Sequence, residues 1–441
     1  MFRLGRRLQS SVAASLGILF ALSISGTPAR TQSQSVLNAD QQDLIAGMLQ
    51  QAYHDIKDFY YDPKLKGLDW DSRYRQYSGI VAKAHDLNEG YSIVAAFMNG
   101  LDDSHTFFVP PGHATQYKTG FRYALFGDAC FITRTRPGSD AAVKMKVGDQ
   151  ILKLDGYDVK REDFHDVQYF FNYFAPQAIE ELLLRSINGN VHEVTVMNVQ
   201  VTRNRQSANF DDPFTRQPND VLSSSAAVLV RGDTAIWRVK EFNQWTNGFK
   251  ESTRDIREPK AIILDLRENP GGPEETLKTI VSMFFDHDVK IADRVTRLET
   301  KPIIAKPDKN PFKGKLIVLV DSGTASASEL FARVVQLEHR GIVIGDKTAG
   351  AVMEAQVHSE QRHTNTDRIS YGFSVTEANL IMTDGKSLEK VGVAPDELMI
   401  PTAEDLAGGR DPVMARAAQL AGLKLYPHEL ENLFPFEWPK P

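Results

Sequence analysis

A strand, a tight turn and a helix follow one another between residues 316 and 337. The run Leu316–Val320 is short and entirely apolar, which is typical of a buried strand. Gly323 supplies the conformational freedom that a tight turn requires, and an amphipathic helical pattern begins near Ser326. A chain that contains this unit is expected to bury the strand in a layered α/β sheet.

Ser326 lies where the turn meets the helix, and two interpretations of it are open. Free backbone N–H groups and the positive end of the helix dipole favour the anion that forms when a hydroxyl attacks a carbonyl, so Ser326 is a candidate nucleophile. Ser326 and Glu329 also have the spacing of a capping box, S-x-x-E, in which the serine only secures the start of the helix. Other segments favour the first interpretation.

The rest of the chain divides by pattern. Apolar residues recur at helical spacing from residue 39 to about 116, short strands and turns follow to about 201, and buried strand runs then alternate with helical patterns. We predict six segments: a signal peptide (1–29), an N-terminal helical domain (30–117), a domain of short strands (118–202), a linker (203–223), an α/β core (224–410), and a C-terminal helix and tail (411–441).

The N-terminus indicates export. Three arginines precede the apolar run Val12–Ile24, which is followed by small residues up to Ala29, as in a secretory signal peptide. The run is short for a membrane span, although an uncleaved anchor is the alternative. We expect a periplasmic or secreted protein with no stable membrane span after cleavage. The net charge is −6, which argues against nucleic acid as a partner, and the single Cys130 allows no internal disulfide.

Asp265–Gly272, which reads D-L-R-E-N-P-G-G, closes a second buried strand. Glycine places no side chain between the backbone and a substrate, so the N–H groups of this turn suit an oxyanion hole. An ordinary Asn-Pro-Gly turn is the alternative explanation.

Two further residues are candidates because a serine hydroxyl needs a base. His105 lies in D-D-S-H-T, at the end of the helical region, and its unperturbed pKa of about 6.5 suits proton transfer near neutral pH. Glu389 lies in L-E-K-V-G-V-A-P-D, and a buried carboxylate there would orient the imidazole. The alternative for each of these two residues is an ordinary exposed position on the protein surface with no catalytic role. We expect no metal ion and no cofactor.

Together these strings resemble the C-terminal processing (tail-specific) peptidase family, serine proteases of the ClpP/crotonase-like superfamily. The segment Val147–Gly156, V-G-D-Q-I-L-K-L-D-G, is similar to part of a PDZ domain, with Arg161–Phe174 as its groove helix. The resemblance implies an α/β (α+β) multidomain fold: a ClpP/crotonase-like core, an N-terminal helical domain and an inserted PDZ-like domain. A substrate's terminal carboxylate would bind near Thr119, Gly120 and Phe121.

One departure from the family decides the mechanism that the resemblance implies. Members with a Ser-Lys dyad carry their lysine in G-E-x-T-x-G-K-G, whereas this chain has Ala351 at that position and Lys347 at a variable one. The tricorn-like branch instead uses serine, histidine and glutamate, which carry over to Ser326, His105 and Glu389. In that branch Ser104 adds a hydrogen bond.

The oxyanion donors would be the N–H groups of Gly271 or Gly272 and of Ala327. The predicted function is therefore an exported serine endopeptidase that cleaves protein or peptide substrates through an acyl-enzyme. Two alternatives are open: a catalytically inactive scaffold that binds ligands or partners, and a hydrolase that uses Ser326 with Lys347.

Overall fold

The computed structural model describes residues 37–112, 115–202, 226–243, 245, 247–256, 258–363, 368–424, 433–434, 436 and 438. The predicted signal peptide (1–29), the predicted linker (203–223) and most of the C-terminal tail lie outside these residues. The described chain has a mixed α/β, multidomain fold with a helical N-terminal region.

The helices begin with a group of three and are otherwise interleaved with strands. Their bounds are α1 (Ala39–Phe59), α2 (Trp70–Val81), α3 (Leu87–Met98), α4 (Asp140–Lys144), α5 (Phe164–Tyr173), α6 (Asn247–Asp255), α7 (Glu274–Ser282), α8 (Ala327–Leu337), α9 (Ala403–Ala407) and α10 (Pro412–Ala421).

The strands follow the helical region. Their bounds are β1 (Phe107–Val109), β2 (Thr115–Lys118), β3 (Phe121–Phe126), β4 (Ala129–Thr135), β5 (Gln150–Leu154), β6 (Tyr157–Asp158), β7 (Ile179–Arg185), β8 (Val191–Met197), β9 (Val199–Thr202), β10 (Ala226–Arg231), β11 (Thr234–Val239), β12 (Ala261–Asp265), β13 (Val289–Thr296), β14 (Thr300–Ala305), β15 (Lys315–Val320), β16 (Ile342–Gly345), β17 (Met353–His363), β18 (Arg368–Met382) and β19 (Glu397–Leu398).

The chain forms two compact units. The first contains Met1–Gly112 and Glu354–Ala378, and the second contains His113–Met353 and Asn379–Pro441. Most of β17 and β18 therefore belong to the same unit as the N-terminal helices, although their sequence pattern places them within the predicted core segment 224–410.

The first unit is built around α1, whose apolar side chains are buried at the spacing that predicts a helix. Asn38 starts α1 by accepting the N–H of Gln41 at 2.8 Å, and the Gln41 side chain accepts the N–H of Asn38 at 3.0 Å. Strand β1 follows the helices and pairs antiparallel with β18, with Phe107 opposite Ser374. The segment 102–106 therefore connects the helical layer to a strand pair. The buried residues of α1 include Leu44, Ile45, Met48, Leu49, Ala52 and Ile56.

The main sheet of the second unit has the strand order β10-β11-β12-β15-β16-β19. Strand β10 is antiparallel to β11, and the remaining pairs are parallel. Successive side chains of β12 alternate between two buried clusters, because Ile262 and Leu264 pack with α7 and α8 while Ile263 packs with α10. Both faces are covered, which explains why these strands are apolar throughout.

The carboxyl ends of two neighbouring parallel strands carry the candidate residues of this unit. Strand β12 ends at Asp265 and continues into the N-P-G-G turn, and β15 ends at Val320 and continues towards Ser326. Asp265 pairs in register with Leu319, so the two turns leave the sheet side by side.

Residues 115–202 form a smaller module of the second unit, with the antiparallel strand order β3-β4-β5-β7-β8. Cys130 is buried on β4, where burial raises the pKa of its thiol. Helix α5 begins at Phe164, three residues after the predicted start at Arg161.

Within the described ranges, no helix is long and apolar enough to cross a membrane. The same part of the chain contains no group of three or more His, Cys, Asp or Glu side chains that is arranged to hold a metal ion.

Candidate active site

Ser326 occupies the N-cap of α8 in a backbone conformation that is unusual for a cap. Its φ is +55° and its ψ is −124°, whereas an N-cap residue ordinarily has an extended conformation. A non-glycine residue in this region is strained, and such strain is found at serine nucleophiles on strand–turn–helix junctions. The side chain of Ser326 is half-buried. Capping alone does not account for this geometry.

The carboxylate of Glu329 fixes the backbone beneath Ser326. It accepts the N–H of Ser326 at 3.0 Å, so one half of the predicted capping box is present. It also accepts the N–H groups of Gly350 and Ala351 and the hydroxyl of Thr348. Burial raises the pKa of Glu329 to about 7, although these four hydrogen bonds oppose the shift. Glu329 therefore joins the start of α8 to the loop 346–352.

The N-P-G-G turn packs directly against the Ser326 turn. A Cβ atom on Gly271 would lie 2.8 Å from the carbonyl oxygen of Ala325, from the N of Ala327 and from the Cβ of Ser326. Its φ of +95° also requires glycine. Gly272 has a φ of +147°, and a Cβ there would lie 2.2 Å from the carbonyl oxygen of Phe242. Both glycines are therefore required by close approach.

The candidate oxyanion donors differ in their hydrogen bonds. The N–H of Gly271 donates to the side-chain oxygen of Asn269 at 2.8 Å. Among the described residues, no hydrogen-bond acceptor engages the N–H of Gly272 or of Ala327. The geometry therefore favours Gly272 and Ala327 over Gly271 as donors to a substrate oxygen.

Glu389 and Ser326 are linked through the same loop. The carbonyl oxygen of Ala351 accepts the N–H of Ser326 at 2.9 Å, and the next residue, Val352, donates its N–H to the Glu389 carboxylate at 2.9 Å. The Glu389 side chain is half-buried. Two consecutive residues thus connect the candidate nucleophile to the candidate acid.

Ala351 and Lys347 are the two positions considered for a lysine base. Among the described residues, neither places a basic group in a hydrogen bond near the start of α8. Ala351 presents only a methyl group, and it is its backbone that bonds to Ser326. The side chain of Lys347 is exposed, while its carbonyl oxygen accepts a hydrogen bond from Arg161 at 2.7 Å.

Ser104 and His105 lie in the first unit and contact each other. The hydroxyl oxygen of Ser104 lies 2.7 Å from Nδ1 of His105, and the His105 side chain is half-buried. The His105 backbone is also bonded on both sides, because its N–H donates to Asp103 at 3.1 Å and its carbonyl oxygen accepts the Ser374 hydroxyl at 2.6 Å. The loop that carries the imidazole is therefore well fixed.

The module of residues 115–202 packs on the loops that flank Ser326. The buried Asp346 accepts the N–H of Gly127 at 2.9 Å and pairs with Arg161 at 3.3 Å. The hydroxyl of Ser322 donates to the carbonyl oxygen of Leu125 at 2.7 Å. Movement of the module would therefore affect the turn that leads to Ser326.

The predicted tail-binding residues lie at the start of β3, which ends the strand order of the module. The Thr119 hydroxyl donates to the Phe121 carbonyl oxygen at 3.0 Å, and Phe121 is fully buried. The carbonyl oxygen of Gly120 accepts the N–H of Arg136 at 2.7 Å.

Three supporting residues were missed by the sequence analysis. Asp103 bonds to the His105 loop, Asn269 bonds to the glycine turn, and Asp321 accepts the N–H of Glu268 at 2.9 Å. Burial raises the pKa of Asp321 to about 6. Each lies within six residues of a predicted site residue, which is the only signal that the sequence offered for them.

Comparison with known proteins identifies related sequences over most of the chain. The protein-family model Peptidase family S41 matches residues 233–399, and Tricorn protease C1 domain matches residues 43–89. Carboxyl-terminal-processing peptidase 3, chloroplastic, of Arabidopsis thaliana is 23% identical over 427 residues, which cover 89% of this chain and 77% of that protein. The carboxyl-terminal-processing protease of Picosynechococcus sp. is 24% identical and covers 83% and 85% of the two chains.

A solved structure extends the similarity to the fold. Mature CPAF superimposes with a TM-score of 0.64 at 16% sequence identity, over 90% of this chain and 99% of that one. The N-terminal helical region and the mixed α/β arrangement are therefore shared with a known structure.

Proposed function

Because the chain is a serine-type peptidase of family S41, we propose that it is an endopeptidase that hydrolyses protein substrates through Ser326, His105 and Glu389. The observation that carries the proposal is the contact between the Gly271 backbone and the strained turn at Ser326. This contact joins the turn of the half-buried Ser326 to the glycine turn, and the N–H groups of Gly272 and Ala327 have no acceptor among the described residues.

The first step is attack of the Ser326 oxygen on the carbonyl carbon of the scissile peptide bond. The carbonyl π electrons move to its oxygen, and the N–H groups of Gly272 and Ala327 donate to the resulting oxyanion. Donors of this kind contribute roughly 3 kcal/mol each in comparable sites. The N-terminal end of α8 adds a favourable dipole.

His105 takes the proton from Ser326 in this proposal. We assign the neutral imidazole a proton on Nδ1, which donates to the Ser104 oxygen 2.7 Å away, so that Nε2 keeps the lone pair that accepts the proton. The imidazolium then gives its proton to the leaving amine. Water deacylates Ser326 by the reverse sequence, with His105 acting again as the base.

Glu389 supplies the negative charge that stabilises the imidazolium. Its bond to the N–H of Val352 fixes the carboxylate in the loop that also holds the backbone of Ser326. A lysine base is less well supported, because Ala351 cannot accept a proton and the Lys347 side chain is exposed.

The proposal also assigns a domain type to two segments of the chain. Residues 118–202 are assigned as a PDZ-like domain and residues 224–410 as a ClpP/crotonase-like core. A substrate tail would add as a strand beside β3, with its carboxylate near Thr119, Gly120 and Phe121. Equal cleavage rates for a peptide with a free and with an amidated C-terminus would contradict this role.

Export to the periplasm or beyond rests on residues 1–29, which lie outside the described residues. Nucleic acid is not a proposed partner, given the net charge of −6. Export is tested by fractionating cells that produce the full chain. Immunodetection should find the product that has lost residues 1–29 outside the cytoplasm.

Two serines of the same motif provide the test of the nucleophile. Ser326→Ala is expected to reduce hydrolysis of a fluorescent protein substrate by more than about 10⁴-fold. Ser328→Ala is the matched control, because Ser328 is buried two residues later and its hydroxyl has no hydrogen-bond partner in the described structure. A fully active Ser326→Ala enzyme would contradict the proposal and support an inactive or differently built site.

A further inference from the structure

The carboxylate of Asp103 is buried two residues before His105. One of its oxygens accepts the N–H of His105 at 3.1 Å, the N–H of Thr106 at 2.8 Å and the hydroxyl of Thr376 at 2.8 Å. The other oxygen accepts the hydroxyl of Tyr60 at 2.8 Å. Burial and the Asp103 charge raise the pKa of Tyr60, so this hydroxyl remains a donor.

No Lys or Arg side chain in the described part of the chain pairs with Asp103. Its negative charge is therefore stabilised by four neutral donors alone, and a buried charge with fewer hydrogen bonds is unfavourable. Two of the four donors are backbone N–H groups of the loop that carries His105. Only a few conformations of this loop therefore place both N–H groups within hydrogen-bonding distance of the Asp103 carboxylate.

Strand β18 holds the opposite side of the same loop. The Ser374 hydroxyl donates to the carbonyl oxygen of His105 at 2.6 Å, and the Thr106 hydroxyl donates to the Thr376 hydroxyl oxygen at 3.0 Å. The Thr376 hydroxyl in turn donates to Asp103. Both peptide groups of His105 are consequently fixed, and the Ser104 hydroxyl engages the ring itself.

We propose that Asp103 is a positioning residue for the general base: it sets the backbone of residues 104–106 so that the imidazole of His105 points at the proton it takes. The inference rests on the proposed function, in which His105 is that base. Asp103 itself touches neither the substrate nor the reacting atoms. Its effect is expected in the rate of the chemical step rather than in substrate binding.

The substitution Asp103→Asn tests the role with little change of shape. The neutral amide oxygen accepts the three donors on one side more weakly than a carboxylate oxygen does, and the NH₂ group replaces the oxygen that accepts the Tyr60 hydroxyl, so the loop is held less firmly. The expected result is a fall in kcat of about 10²-fold with KM changed by less than about threefold. Tyr60→Phe removes a single donor, keeps the ring and should give a smaller fall in kcat, which keeps the test informative if Asp103→Asn folds poorly.

Asp55→Asn is the matched control in the same unit. Asp55 is also buried and accepts one side-chain hydrogen bond, from Gln51 at 2.8 Å, but its other carboxylate oxygen has no partner within the described structure. It should keep the wild-type kcat. A general loss of stability in the first unit would instead lower the activity of both Asp103→Asn and Asp55→Asn.

The imidazole can also be followed directly by ¹⁵N NMR of labelled histidine, with His105→Ala used to assign the signals. We expect one dominant neutral tautomer of His105 in the wild type and an averaged mixture in Asp103→Asn. An inactive His105→Ala enzyme together with Asp103→Asn at the rate and tautomer of the wild type would overturn only the positioning role. A fully active His105→Ala enzyme would overturn the proposed base, and the inference with it.

Discussion

The turn at Ser326 and the loop at His105 are built by different means. The Ser326 turn depends on close backbone approach, because the atoms around Gly271 leave no room for a Cβ atom there. The Glu329 carboxylate also accepts backbone N–H groups from this turn and from the loop 346–352. The His105 loop contains no glycine and depends on side-chain hydrogen bonds to Asp103 and from Ser374. Substitutions that add side-chain volume should therefore damage the Ser326 turn most. Substitutions that remove a hydrogen-bonding group should damage the His105 loop most.

The largest expected effect separates the two candidate bases. His105→Ala should lower kcat by at least about 10³-fold, because no other group is assigned to take the Ser326 proton. Lys347→Ala should retain the wild-type rate, since that side chain is exposed. Steady-state hydrolysis of one peptide by both variants makes the comparison. The reverse pattern would assign the base to Lys347.

Gly271→Ala tests the dependence of the Ser326 turn on close approach. The added methyl would overlap three backbone or side-chain atoms at 2.8 Å, displace the turn, and lower kcat by about 10²-fold. Gly138→Ala is the control, because Gly138 has a similar φ of +79° but open space around its Cβ position. Wild-type activity of Gly271→Ala would contradict the dependence of the Ser326 turn on close approach, and an equal loss in Gly138→Ala would show that the effect is not specific to packing against Ser326.

A smaller effect should appear in the pH dependence of stability. Burial raises the pKa of Glu329 from 4.5 to about 7, so its contribution to stability is fully present below pH 4.5 and is lost as the pH rises through 7. Glu329→Gln should remove this part of the decline in Tm, on the order of 5 °C. The exposed Glu193→Gln is the control in thermal unfolding measured by circular dichroism. An unchanged slope in Glu329→Gln would contradict the assignment.

The glycine-based region was the more predictable of the two. The spacing of apolar residues indicated α1 and the buried strands β12 and β15, and the motifs identified Ser326 and the glycine turn. Local sequence does not reveal which N–H groups are already bonded, and for that reason Gly271 and Gly272 were not distinguished.

The polar region was less predictable because its contacts join distant segments. Asp103 bonds to Tyr60 and Thr376, which are 43 and 273 residues away in sequence. No local pattern encodes such pairs, and aspartate is common in turns for local reasons alone. The helical unit likewise includes residues 354–378, whose strand pattern alone does not indicate which unit they join.

The coupling of Ser326 to His105 is tested most directly by the rate at which a fluorophosphonate labels the protein, with the modified residue identified by mass spectrometry. The account predicts rapid labelling at Ser326 in the wild type and labelling slower by at least about 10²-fold in His105→Ala, with none in Ser326→Ala. Labelling of Ser326 at the same rate with and without His105, or labelling of another residue, would contradict it.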